Sequence, residues 1–220
     1  MILDWMWFFQ MMNYFSTFEF TLQSTYNLIG LLFIFSNLNA VQFAVAHEIF
    51  HKLGFWNRFI GTVHMSKNLY MHFTYEHLYG HHKRVATPED PASAELGITL
   101  YKFLPRTFLG SYKSVYKMQR DEENKPFYLN YAVLSVVEAI AFTCLVYYFW
   151  NLQATLLFLA EAIYSIVYLE AINYIEHYGL SRKKLPNGEF EKVTIRHSWN
   201  APHRFTNYVL FKLQRHSDHH

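Results

Sequence analysis

The chain has 220 residues, of which 52% are hydrophobic and 20% aromatic, whereas only 16% are charged, and its formal net charge is +2. Because an average soluble domain has roughly 25% charged residues, this composition indicates either lipid contact or an unusually large buried core. The single cysteine excludes an internal disulfide and cysteine-pair sites of the rubredoxin, zinc-ribbon and iron–sulfur kinds. The glycine-rich motifs that bind flavin, nicotinamide or ATP do not occur in the sequence, and we expect no nucleic-acid partner.

The apolar runs of the sequence predict three membrane-spanning helices. Residues 28–46 carry no charge, and this run is close to the ~20 residues that cross a bilayer core. Residues 127–150 and 152–175 are two further apolar runs, separated only by Asn151, and together they predict a transmembrane helical hairpin. Residues 1–12 are also apolar, and we interpret them as the end of a further helix.

The positive charges are distributed unevenly along the chain. All 19 Lys and Arg residues lie within residues 52–126 or 182–215. The positive-inside rule therefore places both segments on the cytosolic side of the membrane. The span at 28–46 then ends on that side, and the hairpin leaves that side and returns to it. The basic surface is either simply solvated or also docks an acidic partner.

Nine of the 13 histidines lie in three clusters and at one further position. The clusters are HEIFH at 47–51, HLYGHH at 77–82 and HSDHH at 216–220, and His177 follows the second helix of the hairpin. By the predicted topology, all four elements reach the same membrane face. Imidazole binds iron, zinc, copper and nickel, and nine imidazoles exceed the needs of one ion, so we predict a site for two ions. We interpret the remaining histidines as ordinary polar residues: His64, His72, His197 and His203.

Glu170 lies inside a predicted span, where an ionisable side chain indicates a functional role. Glu170, Asn173 and His177 are spaced i, i+3 and i+7, so they share one helix face. The Glu170 carboxylate either accepts the second ring N–H of a ligand histidine or makes a helix–helix hydrogen bond. We interpret Glu138 and Glu161 as helix-packing groups.

Five segments carry a more specific pattern, and they extend from about Ala46 to the end of the chain. They are HEIFHK at 47–52, EHLYGHHKRVATPEDPASAELG at 76–97, NYIEHYGL at 173–180, RHSWN at 196–200 and LQRHSDHH at 213–220. Together they resemble the integral-membrane alkane hydroxylases, or alkane 1-monooxygenases, which are relatives of the membrane fatty-acid desaturases. The first two motifs of that family usually read HELGHK and EHNRGHH. This chain keeps every histidine but differs at Ile49, Phe50, Leu78 and Tyr79.

The resemblance implies an all-α, polytopic membrane helical bundle with a histidine-rich di-iron site that faces the cytosol. It implies two non-haem iron ions, held without a bridging carboxylate by His47, His51, His77, His81, His82, His177, His216, His219 and His220. The implied reaction inserts one oxygen atom of O2 into the terminal C–H bond of a linear alkyl chain. Two electrons would come from an external donor such as rubredoxin with its reductase. The candidates for supporting the ligands are Glu48, Glu76, Glu170, Asn173, Glu176 and Asp218.

The resemblance also sets an expectation for domain organisation. We expect residues 1–220 to form a single membrane-embedded domain in a multi-pass protein of the lipid bilayer. Members of the family have further transmembrane helices before this region and a tail after the last histidine pair. We therefore expect the N-terminal helices and the C-terminal tail to be missing from this chain.

Three other interpretations stay open. A membrane desaturase or another lipid hydroxylase would use the same iron chemistry, although the HxxxHH spacing at 77–82 favours hydroxylation over the HxxHH of desaturases. HEIFH at 47–51 matches the HExxH motif of zinc proteases, in which Glu48 would be the base, but that motif leaves seven histidines unexplained. The third interpretation is an inactive, truncated membrane protein.

Overall fold

The structure is a computed structural model that describes residues 2–201 and 203–219. The regular secondary structure of the described part of the chain is helical, apart from one isolated β-bridge between Lys184 and Phe190. The helices, in chain order, are α1 Ile2–Ser16, α2 Leu22–His51, α3 Phe55–Lys67, α4 His72–Tyr75, a π-helical turn Glu76–His81, α5 His82–Arg84, α6 Leu100–Lys117, a second π-helical turn Met118–Glu122, a 3-10 turn Phe127–Leu129, α7 Tyr131–Phe149, α8 Leu152–His177, α9 Arg204–Val209 and α10 His216–His219.

Three of the described helices, α2, α7 and α8, are long and apolar enough to cross a membrane, which confirms the prediction of three spans. α2 and α8 extend beyond the predicted bounds because polar residues at their ends also join the helices. α7 begins later than predicted, because Asn130 caps it after the 3-10 turn. A capping box between Thr21 and Ser24 begins α2, and the helix continues through the first histidine pair to His51. Asn151 caps α8 by accepting a hydrogen bond from the backbone N–H of Ala154, so α7 and α8 form the predicted hairpin.

Helix α1 packs against the hairpin through a cluster of buried phenylalanines. Phe8 and Phe15 of α1 contact Phe35 of α2 and Phe158 of α8 in this cluster. Residues 2–12 are thus helical, as predicted for residues 1–12, with Met1 outside the described residues. The aromatic packing holds α1 beside the two long helices that lead to the histidines.

A buried polar network joins α1 to α2 and α3 inside the bundle. The Lys67 ammonium donates to Asp4 Oδ1 at 2.5 Å and to Asn39 Oδ1 at 2.7 Å, and His64 Nε2 lies 3.0 Å from Asp4 Oδ2. Asn39 donates in turn to Glu161 of α8 at 2.6 Å, as expected for a packing group. Lys67 is 1% exposed, so it does not belong to the basic surface in which the sequence analysis counted it.

Helix α3 returns along α2 in close contact. A Cβ atom at Gly61 would lie 2.8 Å from the Cβ of Phe50 and 2.9 Å from the carbonyl oxygen of Ala46. The missing side chain of Gly61 therefore allows the two helices to touch next to the histidine-bearing end of α2. This contact fixes where that end of α2 lies.

The segment after α8 is tied to the segment after the second histidine cluster. The Gly179 N–H donates to the carbonyl of Ala94 at 2.8 Å, and the Arg182 N–H donates to the carbonyl of Ala86 at 2.7 Å. Gly179 has a φ of +72°, a conformation that glycine adopts without strain. These contacts bring the end of α8 and the first π-helical turn to the same end of the bundle.

Candidate metal centre

The first π-helical turn carries the second histidine cluster. In a π-helix each backbone N–H bonds to the carbonyl five residues before it, and here the His82 N–H bonds to the carbonyl of His77. His77 and His82 are five apart, and their Nε2 atoms lie 2.9 Å from each other. His81, on the same turn, points to a different group of histidines. The HxxxHH spacing therefore contributes histidines to two neighbouring groups.

The larger group contains five histidines from three parts of the chain. Their ring nitrogens all lie within 4.8 Å of one another, and the members are His47, His51, His77, His82 and His219. Nε2 of His77 lies 2.7 Å from Nε2 of His47 and 3.3 Å from Nε2 of His219. Distances this short between nitrogen atoms show that the imidazoles converge on one point.

The smaller group contains His81, His177 and His216, all of them buried. Nε2 of His177 lies 3.1 Å from Nε2 of His216, and the ring centroids of His81 and His177 are 4.8 Å apart. The predicted ninth ligand, His220, lies outside the described residues. It directly follows His219, the last member of the larger group.

The two groups adjoin each other. The ring centroids of His77 and His81 are 5.2 Å apart, and those of His216 and His219 are 5.6 Å apart. Each of these pairs joins one member of the larger group to one member of the smaller group. The arrangement thus places two candidate metal positions side by side.

Asp90 holds His81 by a hydrogen bond that the sequence analysis missed. His81 Nδ1 donates to Asp90 Oδ2 at 2.8 Å, while the Ser93 hydroxyl donates to the same oxygen at 2.5 Å and the Ala92 N–H donates to Oδ1 at 3.1 Å. Burial would lower the pKa of His81, but the Asp90 carboxylate outweighs it and raises this pKa. The signal in the sequence was an acidic residue within the Pro-rich TPEDPAS stretch soon after His81.

The other two members of the smaller group also have partners at Nδ1. His177 Nδ1 donates to the backbone carbonyl of His197 at 3.3 Å, and His216 Nδ1 lies 3.5 Å from Glu176 Oε2. A hydrogen bond at Nδ1, such as that of His177, fixes the tautomer and leaves Nε2 to face a metal ion. Glu176, a predicted supporting residue, thus lies beside a ligand candidate.

Three of the other predicted supporting residues are Glu48, Glu76 and Asp218. Glu48 lies 3.9 Å from His47 Nδ1, and Glu76 accepts hydrogen bonds from Arg84 at 3.2 Å and from Ser114 at 3.1 Å. Asp218 is exposed.

For Glu170, the described contacts favour the helix–helix hydrogen bond over a contact with a ligand histidine. Its carboxylate accepts from the hydroxyls of Tyr70 at 2.7 Å and Thr107 at 2.8 Å, and from the Asn173 amide at 3.3 Å. Glu170 and Asn173 therefore form a polar network beside the histidines and bond to each other within it.

The electrostatics of the larger group suit metal binding. Burial lowers the pKa of His77 well below its usual value, that of His82 to about 2 and that of His219 to about 3. These imidazoles are therefore neutral at physiological pH, and the neutral form is the one that ligates. Within the described chain, the buried Nε2 of His51 has no hydrogen-bond partner, as expected of an atom that binds a metal. An all-imidazole donor set of this size fits two iron ions and exceeds a four-ligand zinc site.

The four other histidines lie outside both groups. His72 Nε2 lies 2.9 Å from the Ser111 hydroxyl, and His64 pairs with Asp4 as described above. The ring of His197 accepts a hydrogen bond from the backbone N–H of Thr194 at 2.9 Å, and His203 is exposed at the start of α9.

An apolar cavity of about 390 Å³ opens beside the histidine groups. His47, His77 and His216 contribute to its wall at one end. The rest of the wall is mainly apolar and comes from α2, α8 and the C-terminal segment, with Ala40, Phe43, Leu169, Ile172, Trp199 and Leu213 among its residues. Such a cavity accommodates an apolar molecule with one end at the histidines.

The sequence is 39% identical over 188 residues to the alkane 1-monooxygenase of Acinetobacter baylyi, a match that covers 83% of this chain and 46% of the relative. It is 37% identical over 188 residues to alkane 1-monooxygenase 1 of Pseudomonas aeruginosa, covering 83% and 49%. The chain spans about half the length of the alkane 1-monooxygenases that it matches.

A more distant relative is the xylene/toluene monooxygenase hydroxylase component XylM of Pseudomonas putida. The identity is 27% over 149 residues, covering 66% of this chain and 39% of the relative. The sequence profile described as "Fatty acid desaturase" matches residues 24–220, which include all three candidate spans except the first two residues of α2, and every histidine of both groups. The chain therefore belongs to the fatty acid desaturase family.

Proposed function

We propose that this chain is the catalytic region of a non-haem di-iron monooxygenase that hydroxylates the terminal carbon of linear alkyl chains. One observation carries the proposal: two adjoining groups of convergent imidazoles lie at the end of an apolar cavity. The similarity to alkane 1-monooxygenases supports the reaction and the substrate class. In this proposal the enzyme is an integral, multi-pass membrane protein whose metal centre faces the cytosol.

The proposed ligands of one iron ion are the five histidines of the larger group. The smaller group, His81, His177 and His216, would hold the other ion, with His220 as the ninth ligand. When bound, the two iron ions would supply the reductive activation of O2. The protein's part is to hold each Nε2 in place, and Asp90 and the carbonyl of His197 do so through Nδ1 of their histidines.

The cavity is the proposed binding site of the alkyl chain. Along α2, its wall extends from His47 to Ala40, which is roughly 10 Å at 1.5 Å per residue. Apolar walls bind a hydrocarbon and exclude water from its C–H bonds. Because the histidines line only one end, a chain that enters lengthwise places its terminal carbon there.

The proposed reaction consumes an alkyl chain, O2, two electrons and two protons, and it yields an alcohol and water. The sequence has no motif that binds flavin or nicotinamide, so the electrons would come from an external carrier such as rubredoxin with its reductase. The exposed part of the basic surface is available to an acidic carrier of this kind.

Replacement of single histidines tests the proposed ligand set. In the full-length protein, His81→Ala, His177→Ala and His219→Ala should each abolish hydroxylation, because each change opens a gap in one ligand group. His203→Ala is the matched control, since His203 is exposed and lies outside both groups, and it should leave iron content and activity unchanged. Activity that persists in the first three variants would refute the ligand set.

Product analysis and one further variant separate the competing functions. Gas chromatography should detect a terminal alcohol, whereas a double bond in the product would indicate a desaturase. Glu48→Gln should reduce hydroxylation at most partially, because Glu48 lies 3.9 Å from His47 Nδ1 and is not a ligand. Peptidase activity that is lost on Glu48→Gln would instead establish the zinc protease.

A further inference from the structure

Helix α6 carries three stripes of side chains with different properties. Within each stripe, most neighbouring members are three, four or seven residues apart, so each stripe follows one face of the helix. The buried stripe consists of Phe103, Thr107, Ser111, Ser114 and Val115. The apolar stripe is exposed or half-buried and consists of Tyr101, Pro105, Phe108, Leu109 and Tyr112, and the basic stripe consists of Lys102, Arg106, Lys113 and Lys117. One side of α6 therefore packs on the protein, and the other sides present an apolar and a basic surface.

The buried stripe of α6 bonds to residues that surround the candidate metal centre. The Thr107 hydroxyl donates to Glu170 Oε2 at 2.8 Å, within the polar network beside the histidines. The Ser114 hydroxyl donates to Glu76 Oε1 at 3.1 Å, and Glu76 directly precedes His77 in the first π-helical turn. A displacement of α6 would therefore break hydrogen bonds next to both histidine groups.

Helix α6 contacts α7 and α8 at the same end of their hairpin. Its Thr107 reaches Glu170, which lies seven residues before the end of α8 at His177. The Asn130 side chain, which caps the start of α7, donates to the carbonyl of Tyr116 at 3.0 Å. Because α7 and α8 are candidate membrane spans, α6 lies where the apolar part of the hairpin ends.

The apolar stripe continues onto the outward side of α7. Tyr112 lines an open groove of about 310 Å³ together with Val136, Ala139 and Ile140 of α7. Val136 is 45% exposed and Ile140 60% exposed. An exposed apolar face on a membrane-spanning helix contacts lipid acyl chains. The apolar stripe of α6 and the outward face of α7 therefore form one continuous apolar surface.

The basic stripe adds positive charge beside this apolar surface. Lys102 and Lys113 are exposed and have no ion-pair partner among the described residues, whereas Arg106 pairs with Glu95 at 3.2 Å. An anionic phospholipid complements both surfaces, since its phosphate matches the lysines and its acyl chains match the apolar stripe. An acidic protein would match the lysines alone and leave the apolar stripe in water.

We propose that α6 lies in the plane of the membrane surface and binds anionic phospholipids, and that this contact holds its buried stripe against the candidate metal centre. The inference rests on the membrane location in the proposed function and is independent of the proposed reaction. The apolar stripe lies among the acyl chains, while Lys102 and Lys113 bind lipid phosphates. Anionic lipid thus stabilises the polar contacts of Thr107 and Ser114 from the opposite side of the helix.

Spin labelling of the full-length protein tests the position of α6. A label is attached at Leu109→Cys in the apolar stripe, or at Asn187→Cys in an exposed turn as the control, after replacement of the native cysteines. The protein is placed in vesicles of phosphatidylcholine and phosphatidylglycerol. Electron paramagnetic resonance then measures collisions of the label with O2, which dissolves in the bilayer, and with a water-soluble nickel chelate. The label at Leu109 should meet O2 and little nickel, and the label at Asn187 should meet nickel freely.

Thermal unfolding of the same protein tests the lipid class. Wild-type protein should melt roughly 2–4 °C higher in vesicles with phosphatidylglycerol than in phosphatidylcholine alone, and it should lose iron to a chelator more slowly. The double variant Lys102→Gln/Lys113→Gln should lose this difference between the two lipids. Lys184→Gln/Lys192→Gln is the matched control, because it removes the same charge from two exposed lysines outside α6 and should keep the difference.

The outcomes separate this inference from the proposed function. A label at Leu109 that meets nickel as freely as the one at Asn187 would overturn the membrane position of α6. A label at Leu109 that meets neither reagent would show that protein covers the apolar stripe, which also overturns it. An equal lipid effect in both double variants would overturn the role of the two lysines. A protein that meets every lipid expectation but produces no alcohol would refute only the proposed function.

Discussion

A single hydrogen bond connects the Asp90 carboxylate to the ring of His81. Asp90 is 0% exposed and holds its position through Ser93 and the backbone of Ala92. Burial would raise the pKa of Asp90, but its interactions with His81 and Ser93 outweigh burial and lower this pKa, so the carboxylate is ionised. An ionised acceptor fixes the proton on Nδ1 of His81 and makes Nε2 a stronger ligand.

Asp90→Asn should weaken iron binding roughly 10–100-fold, the usual effect of losing such a carboxylate partner. The amide can present its NH2 group to Nδ1 of His81 and so favour the wrong tautomer. Iron affinity is measured by competition with a chelator. Asp121→Asn is the matched control, because Asp121 is exposed and pairs with Arg120 away from the histidines. Equal iron affinity in both variants would show that Asp90 does not support a ligand.

Sequence reasoning identified the histidine groups but not this partner, for a physical reason. The histidines recur at short spacings that place several of them together on one helical turn, so their clustering is local. The contact between Asp90 and His81 depends on the path of an irregular loop, which no periodicity describes. The same limit applies to Glu170, whose partners Tyr70 and Thr107 come from distant parts of the chain.

At the level of elements, the contact between α2 and α3 positions the first histidine pair. The three long helices were predictable because each is a long apolar run, whereas α3 has only 13 residues and includes Arg58 and Lys67. The π-helical turn was not predictable either, since its hydrogen bonds differ from those of an α-helix while its residue types do not. Yet this turn divides His77 and His82 from His81.

Gly61→Ala should destabilise the protein by about 1–3 kcal/mol, the usual cost of overpacking. The new methyl group would meet Phe50 at 2.8 Å and the Ala46 backbone at 2.9 Å, so α3 must move away from α2. We expect a lower melting temperature and a lower iron content, since His47 and His51 lie beside this contact. Gly30→Ala is the control, because a Cβ there meets no atom within 4 Å. It should be neutral or up to about 1 kcal/mol stabilising. Equal melting temperatures and iron contents in the two variants would show that the close contact at Gly61 does not determine stability.

For the whole molecule, buried neutral histidines link stability to pH. Burial lowers the pKa of His72 to about 3, whereas in the unfolded chain a histidine titrates near 6.5. Below about pH 6.5 the unfolded state binds a proton at His72 that the folded state does not. The contribution of His72 to the free energy of unfolding therefore decreases as the pH falls below about 6.5. Glu76, whose pKa burial raises to about 7, contributes with the opposite sign.

A comparison of the wild-type protein with one variant isolates the contribution of His72. Between about pH 7.5 and pH 5.5, the melting temperature of metal-free wild-type protein should fall further than that of the His72→Gln variant, because glutamine does not titrate. Both proteins retain Glu76 and the other carboxylates, so their opposing effect cancels in the difference. An equal or larger loss in His72→Gln would contradict the buried, neutral state of His72.

The metal content of the full-length protein tests the central claim most directly. Eight histidines converge in two adjoining groups, and a ninth directly follows the last of them, so the protein offers ligands for two ions with nitrogen donors only. We predict about two iron ions per chain by elemental analysis, with both ions lost together with hydroxylation activity on chelation. One zinc ion per chain and no iron, with activity that survives removal of iron, would contradict the account.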